Sequence, residues 1–249
     1  MNKSLLVAAG VLLAPVAFAD EPSPLEQRLD SMDRFFPLSE SAATPPTDVR
    51  AETTGQATSS DSEQGYGVTQ QVEVVLVKHL ALRAGAELRN GSHGFTPIAQ
   101  GKYQFLRQSE HGLNASGGLR YKQVGFQSDG GEVESFFAVG RRFGKLLATG
   151  NLVAGRELSH GGMDIEGHAG VGYLLTERLM VGANARIQQE VEDEEGELGH
   201  TGREFELLSG GVVGYTWDVV DLSLMGGWYM PRASNSSGPL AMLRLGVNF

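Results

Sequence analysis

Cysteine is absent from the 249 residues. That excludes disulfides, thiolate metal sites, a cysteine nucleophile and a lipidated N-terminal cysteine. Long apolar runs are also missing: past the first residues, no stretch reaches the ~20 residues that a membrane-spanning helix needs. Positive charge is scarce. Lys and Arg number 20 against 30 Asp and Glu, for a formal charge of −10, which argues against a nucleic-acid partner. Proline is modest at 9, whereas glycine is abundant at 34, in no collagen period and no low-complexity tract. Glycines within and at the ends of alternating segments suit many strands and turns, some of them closely packed.

The N-terminus reads as an export signal. Lys3 gives a positive start, Leu5 to Phe18 an apolar run, and Ala17-Phe18-Ala19 a small-x-small cleavage site. Residues 1–19 are therefore expected to be a signal peptide. The run is about 14 residues, too short for an anchor helix. Residues 20–48 differ from the rest. Leu25, Leu29, Met32 and Phe36 recur at helical spacing, Ser23 and Pro24 suit a helix start, and Pro37 ends it. A short amphipathic helix is expected near 24–36, followed by an extended linker, "SESAATPPTD". The two are assigned to the periplasm, with a possible periplasmic partner at 24–36. The helix could lie on the main domain, plug it, or dock a partner, because an amphipathic face says only that it is buried somewhere.

From Val49 onward the period is two. Segments of about 9–15 residues, longer than most sandwich strands, alternate with turn signals. The expected strands are 66–77, 80–90, 95–106, 112–127, 132–143, 146–157, 164–175, 178–191, 203–217, 219–230 and 239–249. Short connections such as Gly144-Lys145 and Thr176-Glu177 alternate with longer polar ones such as "QSDGG" and "EVEDEEGELGHTGR". Outer-membrane barrels have short periplasmic turns, longer outer loops and an even number of strands. Eleven segments require one more, and 49–58 alternates weakly, with Val49, Ala51, Thr53 and Ala57 on one face. The expectation is an all-β chain, 49–249 forming a closed antiparallel transmembrane β-barrel of twelve strands, with ten as the alternative.

Alternation alone does not separate a membrane barrel from a sandwich, but the aromatics do. Next to the short turns, outward positions carry Tyr103, Phe105, Phe143, Tyr173, Tyr215, Trp217 and Phe249. Next to the long loops they carry Tyr66, Phe95, Phe126, Phe205 and Trp228. Two aromatic rings bracketing an aliphatic band are the girdles of a membrane barrel, since these side chains tolerate the half-wet headgroup zone. The final stretch, "LRLGVNF", also resembles the C-terminal signature of bacterial outer-membrane barrel proteins, alternating hydrophobics that end in Phe. The resemblance implies insertion into a Gram-negative outer membrane, among lipid and lipopolysaccharide, by the barrel-assembly machinery acting through this strand.

The opposite face is expected to line a lumen. Its acids are Glu73, Glu87, Glu132, Glu134, Glu157, Glu166, Glu190, Glu206 and Asp221. Its bases are Arg83, Arg89, Lys102, Arg120, Lys122, Arg142, Arg186 and Arg244, with His168 beside Glu166. A single-sign lining would suit an ion-selective pore. A balanced one suggests cross-lumen ion pairs and a narrow or occluded interior, because twelve strands lie between the filled eight-strand barrel and open porins of about sixteen. No catalytic residue, metal site or cofactor is assigned. Ser159 and His160 are sequence neighbours on a loop, a poor geometry for proton transfer. The acidic stretch 190–200 lacks the ligand order of an EF-hand. Three functions remain: a narrow or gated porin-like channel for ions or small solutes, preferred here; a non-conducting barrel anchoring partners of an envelope machine; and a lipid-modifying outer-membrane enzyme.

Overall fold

Alternating side chains from Val49 onward become strands because each strand can then give its apolar residues to one environment and its polar residues to another. The computed structural model describes residues 29, 31–60, 64–90, 94–126, 130–159, 161–192, 205–232 and 236–249. Its strands are Val49–Ser59 (β1), Gln64–Val77 (β2), Leu80–Arg89 (β3), Phe95–Leu106 (β4), Asn114–Gln123 (β5) and Gly131–Phe143 (β6). The second half comprises Leu146–Glu157 (β7), Met163–Leu174 (β8), Leu179–Glu192 (β9), Phe205–Trp217 (β10), Val220–Met230 (β11) and Gly238–Asn248 (β12). Each pairs antiparallel with its sequence neighbours, and β1 closes on β12, with Thr53 opposite Leu245 and Thr54 opposite Arg244. The chain is a closed twelve-stranded barrel, and the weakly alternating stretch at Val49 is its first strand.

The expected strand 112–127 is shorter in the structure, for a local reason. Gln108–His111 forms one helical turn that Gly112 ends at φ 75°, and Val124–Phe126 forms a second turn around Gly125 at φ 63°. Glycine enters this left-handed region without the steric penalty other residues meet. The signal peptide, most of the expected helix 24–36 and the acidic stretch 193–200 lie outside the described residues. In the described part of 24–36, Leu29 is helical and Met32–Phe35 is a single 3-10 turn.

Outward and inward positions separate cleanly. Leu82 is 47% exposed while Ala81 is 1%, and Leu152 is 62% exposed while Val153 is 5%. Exposed Val68, Val72, Leu119, Val171, Val213, Leu224 and Leu243 continue this aliphatic belt around the wall. So large an exposed apolar surface marks a lipid-facing barrel. Tyr66, Phe95 and Trp228 are exposed beside the long loops; Tyr103, Phe105, Phe143, Tyr173, Trp217 and Phe249 are exposed at the other end. Phe205 and Tyr215 are half-buried, Tyr215 with its ring edge-on to Trp217 at 4.6 Å. Phe126 lies in the turn after β5, and its side chain is outside the described residues. Tyr121 belongs to the long-loop ring as well, and Phe137 stacks on Phe105 at 5.8 Å lower on the outer wall.

A single arginine checks this register. Leu82→Arg and Ala183→Arg, both on the lipid face, should each cost about 2–4 kcal/mol of barrel stability. Thr69→Arg, on the lumen face opposite Glu87, should cost much less. Urea unfolding in lipid vesicles measures all three. Equal costs on the two faces would mean a register one residue out, which exchanges them.

Candidate functional site

The half of the lumen next to the short turns is filled, and the N-terminal segment fills it. Residues 31–47, expected as the end of an amphipathic helix and the linker after it, fold back inside the barrel, so of the roles open to the N-terminal segment the structure shows the plug. Ser31–Ser39 and Ala42–Thr44 are buried. The segment enters at the short-turn end, where Leu29 lines a depression with Arg142, Lys145 and Thr176. It turns back near Glu40 and leaves at the same end to become β1. Asp33 staples the two limbs, accepting hydrogen bonds from Ser41 Oγ at 2.6 Å and Ala42 N at 2.8 Å.

One flank of this plug is apolar. Met32, Phe35, Phe36 and Leu38 pack in one core with Leu147, Leu174, Met180, Leu208, Val212, Met225, Tyr229, Leu240 and Met242. These wall residues come from β7 to β12, so that side of the lining carries hydrophobic positions between the expected polar ones. Glycine makes the room. A Cβ on Gly214 would lie 2.6 Å from the Phe35 ring, and one on Gly170 would lie 2.8 Å from the Phe36 ring. Removing two phenylalanines, a methionine and a leucine from water is a substantial driving force for docking.

The other flank is polar and matched bond for bond. Asn184 Oδ1 accepts from Leu38 N at 2.8 Å, and its Nδ2 donates to Ser39 Oγ at 2.9 Å. Asn151 accepts from Glu40 N and donates to Glu40 O, both at 2.9 Å. Gln104 Oε1 accepts from Thr44 N and Oγ1. Arg244 donates to the carbonyls of Arg34 and Pro37, and Lys102 to that of Ala43. Together these groups satisfy a length of irregular backbone that burial would otherwise penalise.

Charge is concentrated at Glu40. Arg83 donates to both its carboxylate oxygens at 2.8 Å, Arg120 Nη2 lies 3.3 Å from Oε2, and Lys102 Nζ lies 3.6 Å from Oε1. Burial pushes the Glu40 carboxyl up, but the three cations outweigh it and hold the group below the usual carboxylate range. Around this centre, Glu73 pairs with Arg83 and Lys102, and Glu134 pairs with Arg120 and Lys122. Arg120 also lies over the Phe136 ring at 5.8 Å. Nearer the short-turn end, Asp221 binds Arg50 at 2.5 Å and Arg34 of the plug at 3.4 Å. What remains open among these groups is a cavity of about 30 Å³, room for a water or two.

The lumen residues expected from sequence therefore separate into groups. Arg83, Lys102, Arg120, Arg244 and Asp221 touch the plug directly. Glu73, Glu134 and Lys122 support that ring from the wall. Higher in the lumen Arg186 pairs with Glu206. His168 joins plug and wall, because Nδ1 meets the Leu38 carbonyl and Nε2 meets Glu166 Oε2 at 2.9 Å. With both nitrogens engaged it fastens the plug to the wall. Arg89 and Glu87 form a pair at the long-loop rim with Arg89 largely exposed, and Arg142 lies at the opposite rim beside Gly144. Asn184, expected on the lumen face, holds the plug; Arg50, Glu52 and Asn151 also line the lumen and were not singled out from sequence, although all three occupy inward positions. Among the described residues no group of His, Asp and Glu could hold a metal ion.

No family model matches the chain, and no curated protein matches it in sequence. Solved structures share its fold. The NanC porin superposes with a TM-score of 0.62 at 8% identity, over 80% of this chain and 100% of its own. An outer-membrane channel from Pseudomonas putida F1 gives 0.57 at 10% identity, over 83% and 97%. The KdgM porin gives 0.54 at 9%, over 80% and 99%. The chain has the fold of bacterial outer-membrane β-barrel porins.

Proposed function

We propose that this barrel is an outer-membrane channel for ions or small solutes, held shut at rest by residues 31–47. The observation that carries the reading is the arrangement of the plug. Both of its limbs pass through the same mouth, so it can withdraw without threading the barrel. Its polar flank is held by hydrogen bonds and ion pairs, which water and salt can replace. In barrels of this class the short-turn end faces the periplasm, so the plug opens toward that side. The apolar seat under Phe35 and Phe36 favours a second reading, a permanently filled barrel that anchors partners in the envelope.

Planar-bilayer recording of the full-length chain separates the two. A baseline near zero, broken by discrete openings, supports the gated channel. A trace that never opens supports the anchor, and steady porin-like conductance contradicts both.

A further inference from the structure

Glu40 is held in the manner of a ligand. Its carboxylate is gripped in the plane by both ends of the Arg83 guanidinium, the geometry that distinguishes a carboxylate from a spherical anion. Arg120 and Lys102 close on it from either side. Asn151 reads the adjoining backbone amide through both its donor and its acceptor. The side chains of Lys102, Arg83 and Glu40 are 2%, 12% and 8% exposed, so the site is largely dry.

While Glu40 is in place, Arg83, Lys102, Arg120 and Lys122 are joined in one ion-pair network with Glu40, Glu73, Glu132 and Glu134. Glu52 is already engaged by Arg50 and Arg244. When Glu40 leaves, Arg83, Lys102 and Arg120 lose the one carboxylate that all three contact, a costly state in a confined lumen unless another anion takes its place. The geometry points to a binding site for a small organic carboxylate, formed by Arg83, Lys102, Arg120 and Asn151. Glu40 fills it as a tethered ligand while the plug is docked, and a diffusible carboxylate fills it when the plug withdraws. This rests on the gated-plug reading and adds the ligand class that the vacated lumen holds.

Chemical replacement tests it in the full-length chain. Glu40→Ala deletes the atoms that acetate contains. The variant should open more often than the wild type. Acetate in the millimolar range should bind in the vacated space and raise the thermal unfolding midpoint of the variant in detergent by a few degrees. Acetamide, of the same shape but uncharged, and chloride at equal ionic strength should do neither. Wild-type protein, whose site is full, should not respond to acetate. Glu40→Ser carries the same comparison should the alanine variant fail to assemble. A midpoint shift specific to acetate supports the site. Equal shifts with acetate and chloride, or none with either, overturn it. The gated-plug reading fails separately, if Glu40→Ala binds acetate yet conducts no more than the wild type.

Discussion

Deleting residues 31–47 should raise single-channel conductance about tenfold or more, since the interior of a twelve-strand barrel lies between the filled and the open classes. The barrel does not depend on the plug for its wall: every strand pairs with two others, and β1 starts only at Val49. Deletion therefore empties the lumen without removing a strand. Water then enters the half lined by Arg83, Lys102, Arg120 and Glu73, and the apolar half around Met180, Leu208, Val212 and Met225 becomes one wall of the pore. The same deletion should lower barrel stability, because those apolar side chains lose their partners Phe35 and Phe36. A rise in conductance together with an earlier unfolding midpoint is the expected pairing. Unchanged conductance would mean that the path is blocked elsewhere in the lumen.

The second large effect is expected at Arg83. Arg83→Ala removes the guanidinium from two carboxylates at once, Glu40 and Glu73, whose side chains are 8% and 6% exposed. Truncating one partner of a buried ion pair typically costs about 3–5 kcal/mol, most of it from the charge left behind. Lys102 still reaches both acids, which sets the expectation at the lower end of that range. Arg83→Ala combined with Glu40→Ala should recover part of the loss, since one of the two orphaned carboxylates goes too. Urea unfolding of the single and double variants in lipid measures the coupling. A cost for Arg83→Ala below about 1 kcal/mol, the level of an exposed pair, would mean that the lumen is far wetter than its packing implies.

Most of the wall was legible in the sequence because a strand that separates lipid from lumen must alternate, and alternation survives in a one-dimensional string. The aromatic rings were legible for the same reason: Tyr66, Phe143 and Trp217 stand at strand ends on the outward parity. The ion-pair partners were harder. Arg83 and Glu73 are on adjacent strands and directly opposite, a relation that follows from strand register, whereas Arg83 and Glu40 meet only because the plug folds inward. The second limb of the plug resembled a linker. Ser39, Ser41, Ala42, Ala43 and Pro45 are small or turn-forming residues, which suit a solvated connection as well as a tight fit inside a barrel.

Three signals pointed inward without being decisive. Phe35 and Phe36 are adjacent, so no single helix face buries both. Gly140, Gly170, Gly172 and Gly214 all fall on the lumen parity, which clears space for something bulky along the axis. Apolar residues at lumen positions, such as Leu147, Met180 and Leu208, were a third. The group in β7 to β12 lies opposite the aromatics of the plug and makes sense once the plug supplies the other half of its core.

The absence of cysteine from the chain makes the central claim directly testable. A Cβ on Gly140 would lie 3.6 Å from the Ala42 Cβ, within the separation a disulfide bridges, and 2.9 Å from Asp33 Oδ2, so the Asp33 side chain must shift slightly to admit it. Ala42→Cys with Gly140→Cys would therefore tie the plug to β6 through the only thiols present. Single-channel recording of this variant, oxidised and then exposed to reductant on the short-turn side, is the measurement. If residues 31–47 gate the lumen, the oxidised channel stays closed and reductant restores openings like those of the wild type. Openings of the same size and frequency in the oxidised and reduced states would show that ions do not pass where the plug sits, and would contradict the account.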